Sequence, residues 1–170
     1  MRSILAVLLC ATAVFAADAP RRAPGFALTD SNREIHDLYD YRGKPVILEF
    51  MQTTCPHCAS FVSVLQKIQE KYGSRLQILA VVVPPDNTTT VGSFIKGHGI
   101  SYPVLFDTGQ ATYSYVRSAK VEFPQVFIID PNGMIYSHYE YSLLNRDIFD
   151  GNGLMNEIDR IMAGPKSTKK

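Results

Sequence analysis

The sequence predicts an α/β domain with a central mixed sheet flanked by helices, and three patterns carry that prediction. Val46 to Phe50, Leu76 to Val83 and Val126 to Asp130 are short apolar runs rich in β-branched residues, as strands buried on both faces require. Between them lie segments whose apolar residues recur at helical spacing. Pro131-Asn132-Gly133 turns the last run back into Met134 to Tyr139, and an amphipathic helix follows. Strands alternating with helices, then a hairpin and a helix, fit layered α/β packing.

Taken in order, the chain begins with Arg2 and an apolar stretch from Ile4 to Phe15, short for a bilayer span. Val14-Phe15-Ala16 supplies modest or small residues where a signal peptidase reads, so residues 1–16 are expected to be a secretory leader. An uncleaved anchor is the alternative. Cys10 lies inside the apolar run behind Leu9, where a lipoprotein signal has a small residue, which argues against lipid attachment. Residues 17–23 read as flexible, and ordered structure is expected over 24–164, with a tail at 165–170.

Pro24 to Leu28 starts a first strand, Ser31-Asn32-Arg33 turns it, and Ile35 and Leu38 lie on the returning arm. Arg42-Gly43-Lys44-Pro45 breaks the chain before the first buried strand. Met51 to Cys55 reads as a loop. Phe61, Leu65, Ile68 and Tyr72 then recur at intervals of four, three and four, which makes one helical stripe ended by Gly73. Pro84-Pro85 stops the second strand. Asp86 to Thr90 is a polar loop before a shorter helix that Gly97 and Gly99 close near His98. Tyr102 to Phe106 reads as a short strand, and Gln110 to Val116 as a helix that its Tyr and Thr residues weaken. The last helix spans about Asn152 to Met162, with Leu154, Ile158 and Ile161 apolar, and Gly164-Pro165 ends it.

The 170 residues suffice for one domain with a real core, and no internal repeat divides them. Lys and Arg number 17 against 16 Asp and Glu, and basic residues cluster only at Lys166, Lys169 and Lys170. That balance excludes a nucleic-acid or polybasic membrane footprint. Without the leader, two cysteines remain, with two residues between them. A disulfide framework needs more, and a four-cysteine zinc site needs a second pair. An exported chain whose thiols form a single C-x-x-C reads as a redox catalyst.

Cys55-Pro56-His57-Cys58 stands where a buried strand hands over to a helix. Free N–H groups and the dipole at a helix start favour a thiolate over a thiol. Pro56 suits the first turn because it has no N–H to lose. His57 places a positive charge or a donor beside the sulfur, and a stabilised thiolate makes a couple more oxidising. Glu49 is the polar exception in the first buried run. A carboxyl there has a raised pKa and can relay the proton of Cys58.

Val46-Ile47-Leu48-Glu49-Phe50 followed by Cys55-Pro56-His57-Cys58 resembles the active-site segment of thioredoxin-fold proteins. The TlpA and ResA-like branch, exported thiol-disulfide oxidoreductases grouped with the AhpC/TSA-type redoxins, is more similar still. Pro24-Gly25-Phe26, Tyr41-Arg42-Gly43-Lys44-Pro45, Gly99 to Val104 and Phe127 to Gly133 also match it, so the resemblance covers about Pro24 to Gly164. It implies a thioredoxin fold with an N-terminal β-hairpin and a helix–strand insert between Asp86 and Phe106. It implies that Cys55 attacks, Cys58 resolves, and the pair cycles through a Cys55–Cys58 disulfide. Phe123-Pro124 would be the cis-proline loop that offers backbone to a bound peptide, and Glu49, six residues before Cys55, the buried acid.

The chain departs from that branch in places. Thr54 stands where a Trp precedes the first cysteine, Phe61 where ResA-like proteins carry a glutamate, and Ser63 where the helix has a proline. Pro56-His57 is the dipeptide of oxidising DsbA-type proteins inside a frame that resembles reductases, which leaves both directions of transfer open. The expected partners are protein thiols or disulfides and a redox protein that recycles the pair, with the chain a monomer in the periplasm or secreted. No cofactor or metal is expected. The alternative is a redoxin-fold copper carrier, pairing the C-x-x-C with His98 or His138. A peroxidase would need Pro and Thr where Leu48 and Gln52 stand. Asn87-Thr88-Thr89 is a glycosylation sequon that matters only in a eukaryotic route, His36 has no metal-site spacing, and Tyr136, Tyr139 and Tyr141 read as strand packing with an exposed face.

Overall fold

β1 (Ala27–Asp30), β2 (Ile35–Asp37), β3 (Val46–Met51), β4 (Gln77–Val82), β5 (Val104–Phe106), β6 (Gln125–Ile129) and β7 (Ile135–Glu140) form one sheet in the order β2-β1-β5-β4-β3-β6-β7. These come from a computed structural model that describes residues 21–118 and 120–164. The expected leader with its Cys10, and the expected tail, lie outside the described residues. β3 runs parallel to β4 and antiparallel to β6, and β4 runs parallel to β5. The sheet is therefore mixed, as the sequence predicts. Five helices accompany it among the described residues: α1 (Pro56–Tyr72), α2 (Thr88–His98), α3 (Gln110–Val116), α4 (Arg146–Phe149) and α5 (Asn152–Ala163).

Alternation along β3 divides the core in two. Ile47 and Met51 join Phe61, Leu65 and Ile68 of α1, Phe94 of α2 and Leu154 and Ile158 of α5. Val46, Leu48 and Phe50 point the other way and pack with Tyr115 of α3 and Phe127 of β6. Each fully buried Phe, Leu or Ile contributes roughly 1.5–3 kcal/mol relative to exposure. The register puts Glu49 on the first of these faces, between Ala80 of β4 and Val126 of β6. α2 and β5 make up the expected insert, and β5 joins the central strands to the hairpin through an antiparallel pairing with β1.

The differences from the sequence reading have local causes. Met51 belongs to β3 rather than to the loop. α2 starts inside the expected polar loop because Asn87 caps it, its Oδ1 accepting from Thr89 N–H at 2.9 Å and Thr90 N–H at 3.2 Å. Residues 21–23 are pinned rather than flexible: Ala23 N–H donates to Gly133 O at 2.9 Å and Arg21 Nη2 to Tyr115 O at 2.7 Å. The segment between β7 and α5 carries a 3-10 turn at Leu143–Asn145 and the four-residue α4, too short to show a period in sequence. No helix among the described residues is long and apolar enough to cross a membrane.

Candidate active site

Cys55 is the N-cap of α1 and Pro56 opens its first turn. The Cys55 Sγ accepts from the Cys58 N–H at 3.2 Å, which satisfies one of the free donors of that helix end. The loop before it is held from outside. Thr53 N–H donates to Asp86 Oδ2 at 2.9 Å, Thr53 Oγ1 donates to Asp86 Oδ1, and Cys55 N–H donates to Gln52 O at 3.1 Å.

The two sulfurs are free thiols in unequal surroundings. Cys55 is half-buried, whereas Cys58 is fully buried in the α1 core. The Phe123–Pro124 peptide is cis. The Phe123 carbonyl lies 3.5 Å from the Cys55 Sγ, across 68 residues of sequence. Pro84–Pro85 is also cis, which the sequence reading does not foresee.

Glu49 is fully buried, and neither carboxylate oxygen has a hydrogen-bond partner. Desolvation alone pushes its pKa from 4.5 up to about 8. Burial first, and then the charge of Glu49, push the Cys58 thiol far up as well. Tyr102, just before β5, adds a third buried polar group. Its hydroxyl is unpartnered, and burial followed by Glu49 and Cys58 raises its pKa. When this acid and this thiol hold one proton between them, the proton can pass from Cys58 to Glu49 while the single negative charge moves to the sulfur.

His57 is exposed at the first turn of α1, and its ring stacks on Tyr141 at 3.9 Å between centroids, with 20° between planes. Tyr141 is the contact that reading the tyrosines as strand packing misses; nothing in local sequence links residues so far apart. The other histidines lie elsewhere. His98 packs on Phe94, and His138 stacks on Phe127 with its Nε2 at 2.9 Å from Gln125 Oε1. Among the described residues, the group with converging potential metal ligands is Asp30, Glu34 and His36. Neither cysteine belongs to it, so the copper-carrier alternative gains no donor set. Asp30 is occupied there with the β1–β2 turn, accepting from Asn32 N–H at 2.8 Å and Glu34 N–H at 2.9 Å.

Comparison with known proteins agrees with this geometry. The AhpC/TSA family pattern matches residues 20–138. The chain is 31% identical over 143 residues to the thiol-disulfide oxidoreductase ResA of Bacillus subtilis, covering 78% of each chain. To ResA of Geobacillus kaustophilus it is 32% identical over 129 residues, covering 74% of this chain and 71% of that one. Among solved structures, one described as a thiol:disulfide interchange protein DsbE, from Chlorobium tepidum, superposes with a TM-score of 0.69 at 25% identity. That match covers 82% of this chain and 98% of the other, and the shared architecture is the thioredoxin fold.

Proposed function

The chain belongs to the AhpC/TSA family, and from that premise we propose that it is an exported thiol-disulfide oxidoreductase that exchanges disulfides with protein substrates through a mixed disulfide at Cys55. The observation that carries the reading is the asymmetry of the pair. Cys55 sits at the helix N-cap, reachable and 3.5 Å from the Phe123 carbonyl, while Cys58 is buried beside an unpartnered Glu49.

In the reducing direction, the Cys55 thiolate attacks one sulfur of a substrate disulfide. The substrate S–S bond breaks, a Cys55–substrate bond forms, and the released substrate thiolate takes up a proton. Cys58 then passes its proton to the Glu49 carboxylate and attacks the Cys55 sulfur. The second substrate sulfur leaves as a thiolate and takes up a proton from water, the Cys55–Cys58 disulfide remains, and two electrons have passed to the substrate. Disulfide donation is the same sequence reversed, with Glu49 returning the proton to Cys58. Phe123 and Pro124 offer the backbone edge against which an extended substrate strand lies. Pro56 and His57 tune how far the thiolate is favoured. A second redox protein recycles the pair, and the site of action is the periplasm or the exterior.

Cysteine replacement tests the roles of the two thiols. Cys55→Ser is expected to abolish exchange with a disulfide-bonded protein, and Cys58→Ser to accumulate mixed disulfides visible on a non-reducing gel. Full activity in Cys55→Ser would remove the assignment. The reduction potential against glutathione fixes the direction: a value near the oxidising end means disulfide donation, and one near that of thioredoxin means reduction.

A further inference from the structure

Tyr141 follows β7 directly and is tied to both halves of the site. Its backbone N–H donates to the Pro124 carbonyl at 3.2 Å, which fixes it to the cis-proline loop. One face of its ring carries the His57 imidazole. Phe149 meets the same ring edge-on at 5.2 Å and 66°, and Phe149 in turn packs on Phe61 of α1 at 5.1 Å. Phe61 and Phe149 are buried in the core, so the partly exposed tyrosine ring rests on a buried aromatic pair. Arg146 and Asp150 line the same recess but pair with each other at 3.3 Å.

This aromatic contact stands beside a dithiol that lacks the usual aromatic before its first cysteine, where Thr54 is found. His57 lies between the two cysteines, and an exposed imidazole at a helix start is free to turn away from the sulfurs. A flat ring stacked on it restricts that freedom. An aromatic face also attracts the positive charge that a protonated imidazole carries. Both effects fix where the imidazole between the two cysteines stands at the start of the helix, the end at which the Cys55 sulfur becomes a thiolate when the disulfide is reduced.

We propose that Tyr141 is a positioning residue for the dithiol: its ring holds His57 over the first turn of α1 and thereby stabilises the reduced form of the Cys55/Cys58 couple. The inference rests on the reading of that couple as the redox centre. Its direction is definite. With Tyr141 in place the couple is more oxidising, and without its ring the disulfide form gains.

The test is equilibration of the full chain in glutathione buffers, in which protein dithiol and glutathione disulfide give protein disulfide and two glutathione thiols. Tyr141→Ala is expected to shift that equilibrium about fivefold toward the protein disulfide, which for a two-electron couple is about 20 mV more negative. Tyr141→Leu keeps the bulk without the π face and shifts the same way, guarding against a general loosening caused by Ala. Tyr141→Phe keeps the ring and stays within about twofold of the parent. In a His57→Ala background, Tyr141→Ala adds less than about twofold, because the residue acts through His57. An unchanged potential in both Tyr141→Ala and Tyr141→Leu, or a shift that persists undiminished without His57, overturns the inference while leaving the couple intact. If the parent chain shows no two-electron exchange with glutathione, the couple itself falls and this role falls with it.

Discussion

Asp107 and Glu49 are both acids inside the protein, 5% and 0% exposed, yet their surroundings are opposite. Asp107 follows β5 and closes the start of α3, whose own N-cap, Gly109, has no side chain to do so. Its carboxylate accepts from Ala111 N–H at 3.2 Å and from the Thr112 N–H and hydroxyl, both at 2.8 Å. Glu49 has no partner at all and is driven to about 8 by burial. The tyrosines repeat the contrast. Tyr115, packed on the Asp107 side of the sheet, donates to Pro24 O at 2.8 Å, while Tyr102 beside Glu49 and Cys58 donates to nothing. A protein satisfies its buried polar groups where they serve the fold. Glu49 and Tyr102, left unsatisfied beside a buried thiol, stand where a proton has somewhere to go.

The largest expected effect tests the Glu49 side. Its folded pKa lies above the unfolded value of 4.5, so its contribution to stability is fully present below pH 4.5 and is lost as pH rises toward 8. The total swing is on the order of 5 kcal/mol. Urea melts of the reduced protein and of Glu49→Gln at pH 4.5, 6 and 8 should therefore show the variant gaining stability over the parent as pH rises, levelling off above 8. A flat difference would mean that Glu49 ionises like a surface acid, and the contrast with Asp107 would collapse.

Asp107→Ala comes next. It strands three donors at the start of α3 and should cost about 3 kcal/mol in urea melts at pH 7. Its effect on disulfide exchange should be small, because Asp107 lies on the side of the sheet away from Cys58. A large loss of exchange with little loss of stability would break the division of roles.

The smallest effect sharpens the same point. Tyr115→Phe leaves the Pro24 carbonyl without its donor and should lose about 1 kcal/mol, whereas Tyr102→Phe removes an unpaired buried hydroxyl and should be neutral or slightly stabilising. A loss in Tyr102→Phe equal to that in Tyr115→Phe would show that Tyr102 is bonded in solution.

Much of this was legible along the chain. The alternating and apolar runs of the strands, the four-three-four stripe of α1 and the glycine stops at Gly73 and Gly99 are patterns within one helix or strand, and they fall where the elements are found. Cys55-Pro56-His57-Cys58 at a helix start, and a lone carboxyl in a buried run, are equally local. The short α4 and the pinned residues 21–23 were not legible, because one has too few residues for a period and the other is held by partners distant in sequence.

The sequence by itself determined which groups the candidate site offers: two thiols, an acid and an imidazole, on a helix start and a strand whose types follow from spacing. Only the tertiary structure decided what each of them faces. The Phe123 carbonyl reaches Cys55 across 68 residues, Tyr141 lies against His57, and Glu49 is left without a partner while Asp107 has three. Spacing along a chain sets the direction of a side chain relative to its own backbone. Whether an opposing element brings a donor, a ring or nothing to meet it depends on strand order and crossover packing, which no local window contains.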